Sequence, residues 1–412
     1  MADPIEGPGA SPPEEPPGPW LTRGVTSVGA TSFFSDAGHE ITTATLPTFL
    51  TSVLHSSAGA LGIIEGISDA LSGLMSLVGG PLANDERTRR RLASGGYLGT
   101  ALATGAIGVA GTVWQAGALR AVAWLSRGLR GPARDSLLAS LAPPHAYGRA
   151  YGLERAGDNL GAVAGPLLAA ALVTWIGVRP TMLVAALPGL LAAVCIVFAA
   201  REAVKLRAPI RRRARYDLAG LRAAGLLRPL LPIALFELGN VTTTLLILRS
   251  TDALVSGGRS VADATSLAIL VYAAHNAFAA IVAAAGGHWI DRASPRVVFA
   301  TGAALYAVAY AGFALPWHTW PPLLVAFVLA GSGIGLAETA QATLVARTLP
   351  ERLRGSGFGL LGGVRLIGDF LSSSVVGVLY SAVSPSAGFA YAASWMVLSV
   401  ATSLILARPA PS

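Results

Sequence analysis

Apolar runs of about 20 residues recur along the whole chain, separated by short polar or arginine-rich breaks. In lipid the backbone N–H and C=O groups find hydrogen-bond partners only in helices or closed barrels, and these runs are too long for barrel strands. The sequence therefore predicts an all-α polytopic membrane protein with about twelve transmembrane helices. They are expected at residues 25–50, 58–82, 92–111, 115–138, 152–175, 179–200, 229–250, 264–289, 296–314, 321–345, 356–382 and 387–407.

Composition and charge agree with a bilayer environment. The 412 residues are 53% hydrophobic and 13% charged, the mean hydropathy is +0.59, and the arginines behind the net charge of +8 cluster in alternate loops. By the positive-inside rule these loops and both termini are expected to be cytoplasmic, and nucleic acid is not an expected partner. The clusters lie at 87–91, 127–134, 201–228, 292–296 and 347–354.

The chain divides into two halves. Residues 1–20, rich in proline and glutamate, are expected to form a disordered cytoplasmic tail. A basic cytoplasmic linker at 201–228 separates an N-terminal six-helix bundle at 21–200 from a C-terminal bundle at 229–408. One shift of 207 positions superimposes residues of the two halves, as expected for structural repeats: Asn84 on Asp291, Arg89 on Arg296, Pro143 on Pro350 and Gly148 on Gly355.

The connections after the second and eighth predicted helices carry related motifs. The later one, GGHWIDRASPR, resembles the G-x-x-x-D-R-x-x-x-R signature loop of the major facilitator superfamily, and the earlier one, GGPLANDERTRRR, has Asn84 where aspartate is usual. The fifth helix, LERAGDNLGAVAGPLLAA, is similar to the G-x-x-x-G-P motif of antiporters in this superfamily. The first helix, with FFSDAGHEITTATLPTFL, resembles a set of its bacterial members.

This resemblance covers residues of about 21 to 408 and implies two pseudo-symmetric six-helix bundles in a monomer, located in the inner membrane of a bacterium. It also implies a secondary transporter that works by alternating access, draws on a proton gradient and needs no cofactor. The two motif loops are expected to gate the cytoplasmic side through Asn84, Arg89, Asp291, Arg292 and Arg296.

Further charged residues in the spans are assigned to the same gating group. Arg155 with Asp158, and Arg365 with Asp369, are predicted to be conformational latches at the cytoplasmic helix ends, because buried pairs can lose a partner as the bundles rock. Arg127, in the fourth predicted helix, is included with them.

Two carboxylates and an imidazole interrupt the first predicted helix. Asp36 and Glu40 are spaced i,i+4 on one helical face with His39 beside them, and Glu65 and Asp69 repeat this spacing in the second helix. Acids are costly in lipid and are expected to face a cavity, although caps or salt bridges would also explain them. Protonation would neutralise the site and deprotonation would free it for a cationic substrate, which gives exchange transport.

Three more charged residues in the spans are candidates for contact with protons or substrate. Arg120 resembles the arginine that the superfamily carries in its fourth helix, and an ion pair that holds a helix explains it equally well. In the second half the candidates are Glu237 and Glu338.

Three functions fit these residues. The leading hypothesis is proton-coupled efflux of a small organic molecule or drug. The second is export of a divalent metal ion or metal chelate through Asp36, His39, Glu40 and His275, and the third is a non-transporting receptor or a lipid translocator. An enzyme is not expected, because the sequence has no H-E-x-x-H, and its single lysine, Lys205, does not stand in a Walker A motif.

Overall fold

The computed structural model describes residues 19–56, 58–206 and 215–407. Residues 1–18 of the predicted tail and 207–214 of the predicted linker lie outside the described residues. Over the described ranges the chain is helical and contains no strand, so the predicted all-α fold is confirmed.

The described chain contains twelve membrane spans, of which the sixth and the seventh each consist of two helices. The first half contains α1 (Arg23–Thr48), α2 (Ala58–Leu82), α3 (Glu86–Ala106), α4 (Val113–Leu141), α5 (Tyr147–Ile176), and the pair α6 (Val178–Val184) and α7 (Ala186–Leu206). After the short helix α8 (Leu218–Ala223), the second half contains the pair α9 (Leu227–Gly239) and α10 (Thr243–Ser256), then α11 (Val261–Arg292), α12 (Pro295–Ala314), α13 (Trp320–Thr348), α14 (Glu351–Ala382) and α15 (Pro385–Ala407).

Ten of these spans are long and apolar enough to cross a bilayer by length and composition alone. The other two are α1 and α4, which carry charged residues in their central turns, such as Asp36 and Glu40 on α1 and Arg120, Arg127 and Arg130 on α4. Both helices pack inside the first half, α1 against α5 and α7, and α4 against α2 and α3. The residues that lower the hydropathy are therefore largely held away from lipid.

The seventh span is interrupted at residues 240–242, which the continuous apolar pattern did not predict. The backbone N–H groups freed by the break donate to side chains instead. Val241 N donates to Tyr310 Oη (3.0 Å), and Thr242 N donates to Ser373 Oγ (3.2 Å). Tertiary hydrogen bonds thus replace helical ones and make the break tolerable within the membrane.

The two halves pack through glycines at the end of the molecule where the α2–α3, α4–α5, α11–α12 and α13–α14 connections lie. We call this the basic end. A Cβ on Gly359 of α14 would lie 2.6 Å from Gly80 Cα on α2, and a Cβ on Gly148 of α5 would lie 2.5 Å from the Gly287 carbonyl oxygen on α11. Only glycine allows such approach. A Cβ on Gly355 would also lie 2.5 Å from the Gly80 carbonyl oxygen. Because the shift of 207 positions relates Gly80 to Gly287 and Gly148 to Gly355, this contact is the equivalent of the one between Gly148 and Gly287.

Beside each glycine contact, one residue of the repeated motif forms hydrogen bonds to the other half. The Asn84 amide donates to Ser356 Oγ (2.7 Å), and Asn84 Oδ1 accepts from Ser356 N (3.1 Å). Asp291 accepts from the N–H groups of Gly148 (2.7 Å) and Arg149 (3.1 Å) and from Arg149 Nε (2.8 Å). Arg149 and Ser356 are again 207 positions apart. Asn84 therefore makes the equivalent of the Asp291 contact, with a neutral partner in place of a charged one.

The other motif residues differ in their contacts. Arg89 lies 3.6 Å from Glu351 of the other half. Arg292 is exposed, and Arg296 donates to the Leu406 carbonyl within its own half (3.3 Å). Among the described residues, the side-chain hydrogen bonds and ion pairs that join the two bundles lie at the basic end, apart from one deeper ion pair described below. The halves are closed against each other at the basic end.

We expect Gly359→Val to open the basic end, because its side chain would overlap the α2 backbone at Gly80. Ala83 is fully buried next to this contact and reports opening when replaced by cysteine in a Cys195→Ala background. Overpacking costs about 1–3 kcal/mol, so maleimide labelling of Ala83→Cys should become about tenfold faster.

Gly377→Val is the matched control, because a Cβ on this glycine of the same helix meets nothing within 4 Å. Equal labelling rates in the two valine variants would show that the glycine contact does not close the basic end.

Candidate functional site

Asp36 on α1 forms an ion pair with α4. Its carboxylate is buried, and Asp36 Oδ1 lies 3.2 Å from Arg127 Nη2. Arg127 was grouped with the gate from the sequence, but the structure places it inside the first half with the α1 acids. The reason is helical geometry, because Arg127 follows Arg120 by two turns on the same face of α4.

Glu40 stands one turn beyond Asp36, and 27% of its side chain is exposed. Its neighbour on α1 is His39, whose Nε2 lies 3.9 Å from Glu40 Oε1, beyond hydrogen-bond distance. His39 is buried against the Trp124 ring, with 4.5 Å between the ring centroids. Glu40 is thus an accessible carboxylate in a membrane span that lacks an arginine partner among the described residues.

Trp124 on α4 organises the acids of α2. Its indole N–H donates to Asp69 (2.7 Å), and the Arg120 guanidinium lies 3.8 Å from its ring centroid. Arg120 in turn pairs with Glu65 at 3.0 Å. Trp124 was not identified from the sequence, although its position four residues after Arg120 places it on the same helical face.

These groups form one polar cluster inside the first half. Arg120 and Arg127 each pair with one carboxylate, so two of the four carboxylates have no arginine within the described part of the chain. An excess of carboxylates in a medium of low dielectric attracts protons or cations. The cluster can therefore hold a proton or an organic cation. We call the carboxylates of Asp36, Glu40, Glu65 and Asp69, together with Arg120 and Arg127, the acid cluster.

A second group of charges extends from the first half into the second. Glu154 on α5 is fully buried and pairs with Arg134 at 2.8 Å and with Arg155 at 3.3 Å. Arg155 lies 3.8 Å from Asp158, the partner predicted for it, and also reaches Glu338 on α13 at 3.7 Å. Arg155 is therefore the deeper link between the halves. Glu154 was not identified from the sequence, although it adjoins Arg155 in an apolar run.

The ion pairs continue within the second half. Glu338 lies 3.3 Å from Arg365 on α14, and Arg365 lies 3.8 Å from Glu237 on α9. Gln341 donates to Glu237 (3.0 Å) and accepts from Arg365 Nε (3.1 Å). We call the series from Arg134 to Glu237 the ion chain. It connects α4, α5, α13, α14 and α9.

The predicted pair of Arg365 with Asp369 is not formed between these two described residues. Arg365 turns to the carboxylates of α9 and α13, and Asp369 accepts from Asn240 Nδ2 instead (3.0 Å). Both residues lie near the middle of α14, away from the basic end. The expected latch at a helix end was wrong, because packing brings Arg365 next to two acids of other helices.

The four predicted metal ligands do not come together. His275 lies in the second half, where its Nδ1 is 3.3 Å from the Phe327 carbonyl oxygen and its ring stacks on Tyr272. The other three ligands are on α1. Over the residues that the structure covers, no group of three or more His, Cys, Asp or Glu side chains is placed to hold a metal ion.

We expect Glu154→Gln to destabilise the protein, because it removes the fully buried carboxylate that Arg134 and Arg155 share. The carboxylates that then remain near these two arginines are Asp135, Asp158 and Glu338. Breaking a buried ion pair costs about 3–5 kcal/mol, so Tm in detergent should fall by several degrees. Glu202→Gln is the control, since Glu202 forms an exposed pair with Lys205 that contributes about 0–1 kcal/mol. A Tm for Glu154→Gln equal to that of the control would contradict the role of the ion chain.

Comparison with known proteins places the chain in a family. The model of the Major Facilitator Superfamily matches residues 28–249 and 223–412. An uncharacterised MFS-type transporter of Methanocaldococcus jannaschii is 24% identical over 389 residues, which is 94% of each chain. The multidrug resistance protein MdtG of Enterobacter lignolyticus is 24% identical over 390 residues, 91% of this chain and 88% of the relative.

Solved structures share the fold. A bacterial homologue of the iron transporter ferroportin, in the outward-facing state, has a TM-score of 0.73 at 15% identity and covers 93% of this chain and 99% of its own. The human organic anion transporter MFSD10 has a TM-score of 0.70 at 16% identity and covers 92% of this chain and 99% of its own. The resemblance expected from the motif loops is confirmed, and because the family model extends over both halves, the chain is a multi-pass membrane protein that belongs to the major facilitator superfamily.

Proposed function

We propose that the protein exports a small organic molecule, in cationic form, in exchange for protons. The observation that carries this proposal is Glu40, a partly exposed carboxylate in a membrane span, one turn from Asp36 and without an arginine partner among the described residues. When Glu40 binds a proton, the acid cluster loses one negative charge and attracts a cation less strongly. When Glu40 releases the proton, a cation can bind. Competition for one site couples the two movements in opposite directions.

The energy comes from the proton gradient, and the substrate leaves chemically unchanged. The relatives named multidrug resistance protein support this substrate class, since one of them aligns over 91% of the chain. Metal export has less support. The likeness to the ferroportin homologue concerns the fold, and His275 lies apart from the acids of α1.

We place the basic end in the cytoplasm, with the protein in the inner membrane of a bacterium and both termini on the cytoplasmic side. Support comes from the arginines at the start of α3 and the end of α11, since basic loops remain on the cytoplasmic side. In this orientation the described conformation is closed toward the cytoplasm. The acid cluster is then accessible from outside, where protons enter.

Transport then requires a second conformation in which the basic end is open. To reach it, the two glycine contacts separate and the hydrogen bonds of Asn84 and Asp291 across the halves break. The pair between Arg155 and Glu338 crosses between the bundles, so it also changes as they rock. Protonation or substrate binding at the acid cluster biases this equilibrium only through a difference in affinity between the two conformations.

We expect Glu40→Gln to abolish proton movement that is coupled to substrate. Purified protein is reconstituted in vesicles that contain a pH-sensitive dye, and tetraphenylphosphonium and other lipophilic cations are added outside or inside. Wild type should move protons against the cation, whereas Glu40→Gln should match vesicles without protein, because glutamine cannot release a proton.

Glu202→Gln, which changes a partly exposed glutamate outside the acid cluster, should behave as wild type. Substrate-dependent proton movement that persists in Glu40→Gln would overturn the assignment of Glu40. Cation transport without any proton movement in wild type would overturn proton coupling itself.

A further inference from the structure

One buried arginine of α4 differs from its neighbours. Within the described chain, Arg120, Arg127 and Arg134 each pair with a carboxylate at 2.8 to 3.2 Å. Arg130 is 4% exposed and has no such pair among those residues. Its guanidinium donates to Ser35 Oγ (2.7 Å) and lies 3.8 Å from the Tyr97 ring centroid. Neither contact supplies a negative charge, and a buried charge without a counter-charge is costly.

The nearby acid of α1 forms no ion pair with Arg130 among the described residues. Asp36 follows Ser35 in the chain, but its carboxylate is engaged by Arg127 at 3.2 Å. The other acids of the cluster belong to different contacts: Glu65 pairs with Arg120, and Asp69 accepts from Trp124.

A small cavity lies beside Arg130, between α1, α3, α4 and α7. It has room for about one water molecule. Three of the polar atoms around it are buried and make no hydrogen bond to any described residue: His39 Nδ1, the Tyr97 hydroxyl oxygen and Thr104 Oγ1. Arg130 and Ser35 line the same cavity.

These groups can all donate hydrogen bonds. The two hydroxyls each carry a proton without a described acceptor. On the other side of the His39 ring, Thr43 Oγ1 lies 3.5 Å from Nε2 and already accepts from Arg120 (3.2 Å). Thr43 keeps its own proton and can donate it to Nε2. In that tautomer the imidazole proton is on Nδ1, facing the cavity.

We propose that this cavity binds one small monovalent anion of the size of chloride. The anion accepts from Tyr97, Thr104 and His39 and supplies the counter-charge that Arg130 lacks. A water molecule would satisfy the hydroxyls but leave the charge of Arg130 uncompensated, and a cation would be repelled by it. The volume excludes carboxylates and phosphates. We call this the anion site. Because α1, α3 and α4 all contribute to it, a bound anion stabilises their packing.

The test is thermal stability in detergent with chloride in place of gluconate at constant ionic strength. A ligand that binds only the folded state raises Tm, by about 2–4 °C here at saturating anion. Wild type should show this rise, and Arg130→Gln should lose it. Thr104→Val should weaken it, because the hydroxyl of Thr104 faces the cavity without another partner. If Arg130→Gln does not fold, Thr104→Val still tests whether the chloride-dependent rise in Tm comes from this cavity.

Thr100→Val is the matched control. Thr100 lines the same cavity, but its hydroxyl already donates to the Gly96 carbonyl (2.8 Å), so the chloride-dependent rise should remain. An absence of the rise in wild type, or an equal rise in Arg130→Gln, overturns the proposal. So does an equal rise in Thr104→Val and Thr100→Val.

Anomalous scattering from bromide can locate the bound anion directly. Crystals grown in bromide should give an anomalous peak between α1, α3 and α4, beside Arg130. Peaks only elsewhere on the molecule would contradict the anion site. Because the site does not include Glu40, its failure would leave the proposed proton exchange intact, and the failure of proton exchange would leave the anion site intact.

Discussion

Glu154 is the charge on which the arrangement of the first half most depends. A fully buried carboxylate in a bilayer is costly unless it is paired, and three spans supply its partners. Ser32 of α1 donates to it (2.7 Å), Arg134 comes from α4, and Arg155 from α5 itself. These contacts hold α1 and α4, the two spans whose composition is least suited to lipid, near α5. Asp36 and Glu40 lie on α1, and Arg120 and Arg127 lie on α4. The partners of Glu154 on these two helices therefore help to position the acid cluster.

The two halves share a backbone plan but differ in chemistry. The first half is polar inside, with the acid cluster and the arginines of α4. The second half has an aromatic core, in which Phe313 packs on Phe327 and Phe389, and Tyr306 packs on Tyr310. Aromatic packing of this kind resists rearrangement. This contrast suits a transporter in which protons and substrate bind chiefly to the first half. The second half then remains rigid while the two bundles rock relative to each other.

Much of the architecture could be predicted from the sequence, because lipid imposes length and hydropathy on every span. The single shift of 207 positions also aligned Asn84 with Asp291, and the structure shows that the two residues make equivalent contacts. The break in the seventh span could not be predicted, since its hydrogen bonds come from Tyr310 and Ser373 on other helices. The cost of burying a charge marks a residue as important, but it does not name the partner. For that reason the true partners of Arg365 emerged only from the packing.

The central claim is that Glu40 takes up and releases the proton that is exchanged for substrate. Infrared spectroscopy of the reconstituted protein during a pH titration tests this directly, because a protonated carboxyl group has its own C=O band. The account predicts a titrating band in wild type that is absent in Glu40→Gln and retained in Glu65→Gln, since Glu65 pairs with Arg120. Because other carboxyl groups also titrate, the decisive signal is the difference between wild type and each variant. Identical titrating C=O absorption in wild type and Glu40→Gln, or a loss of absorption only in Glu65→Gln, would contradict the claim.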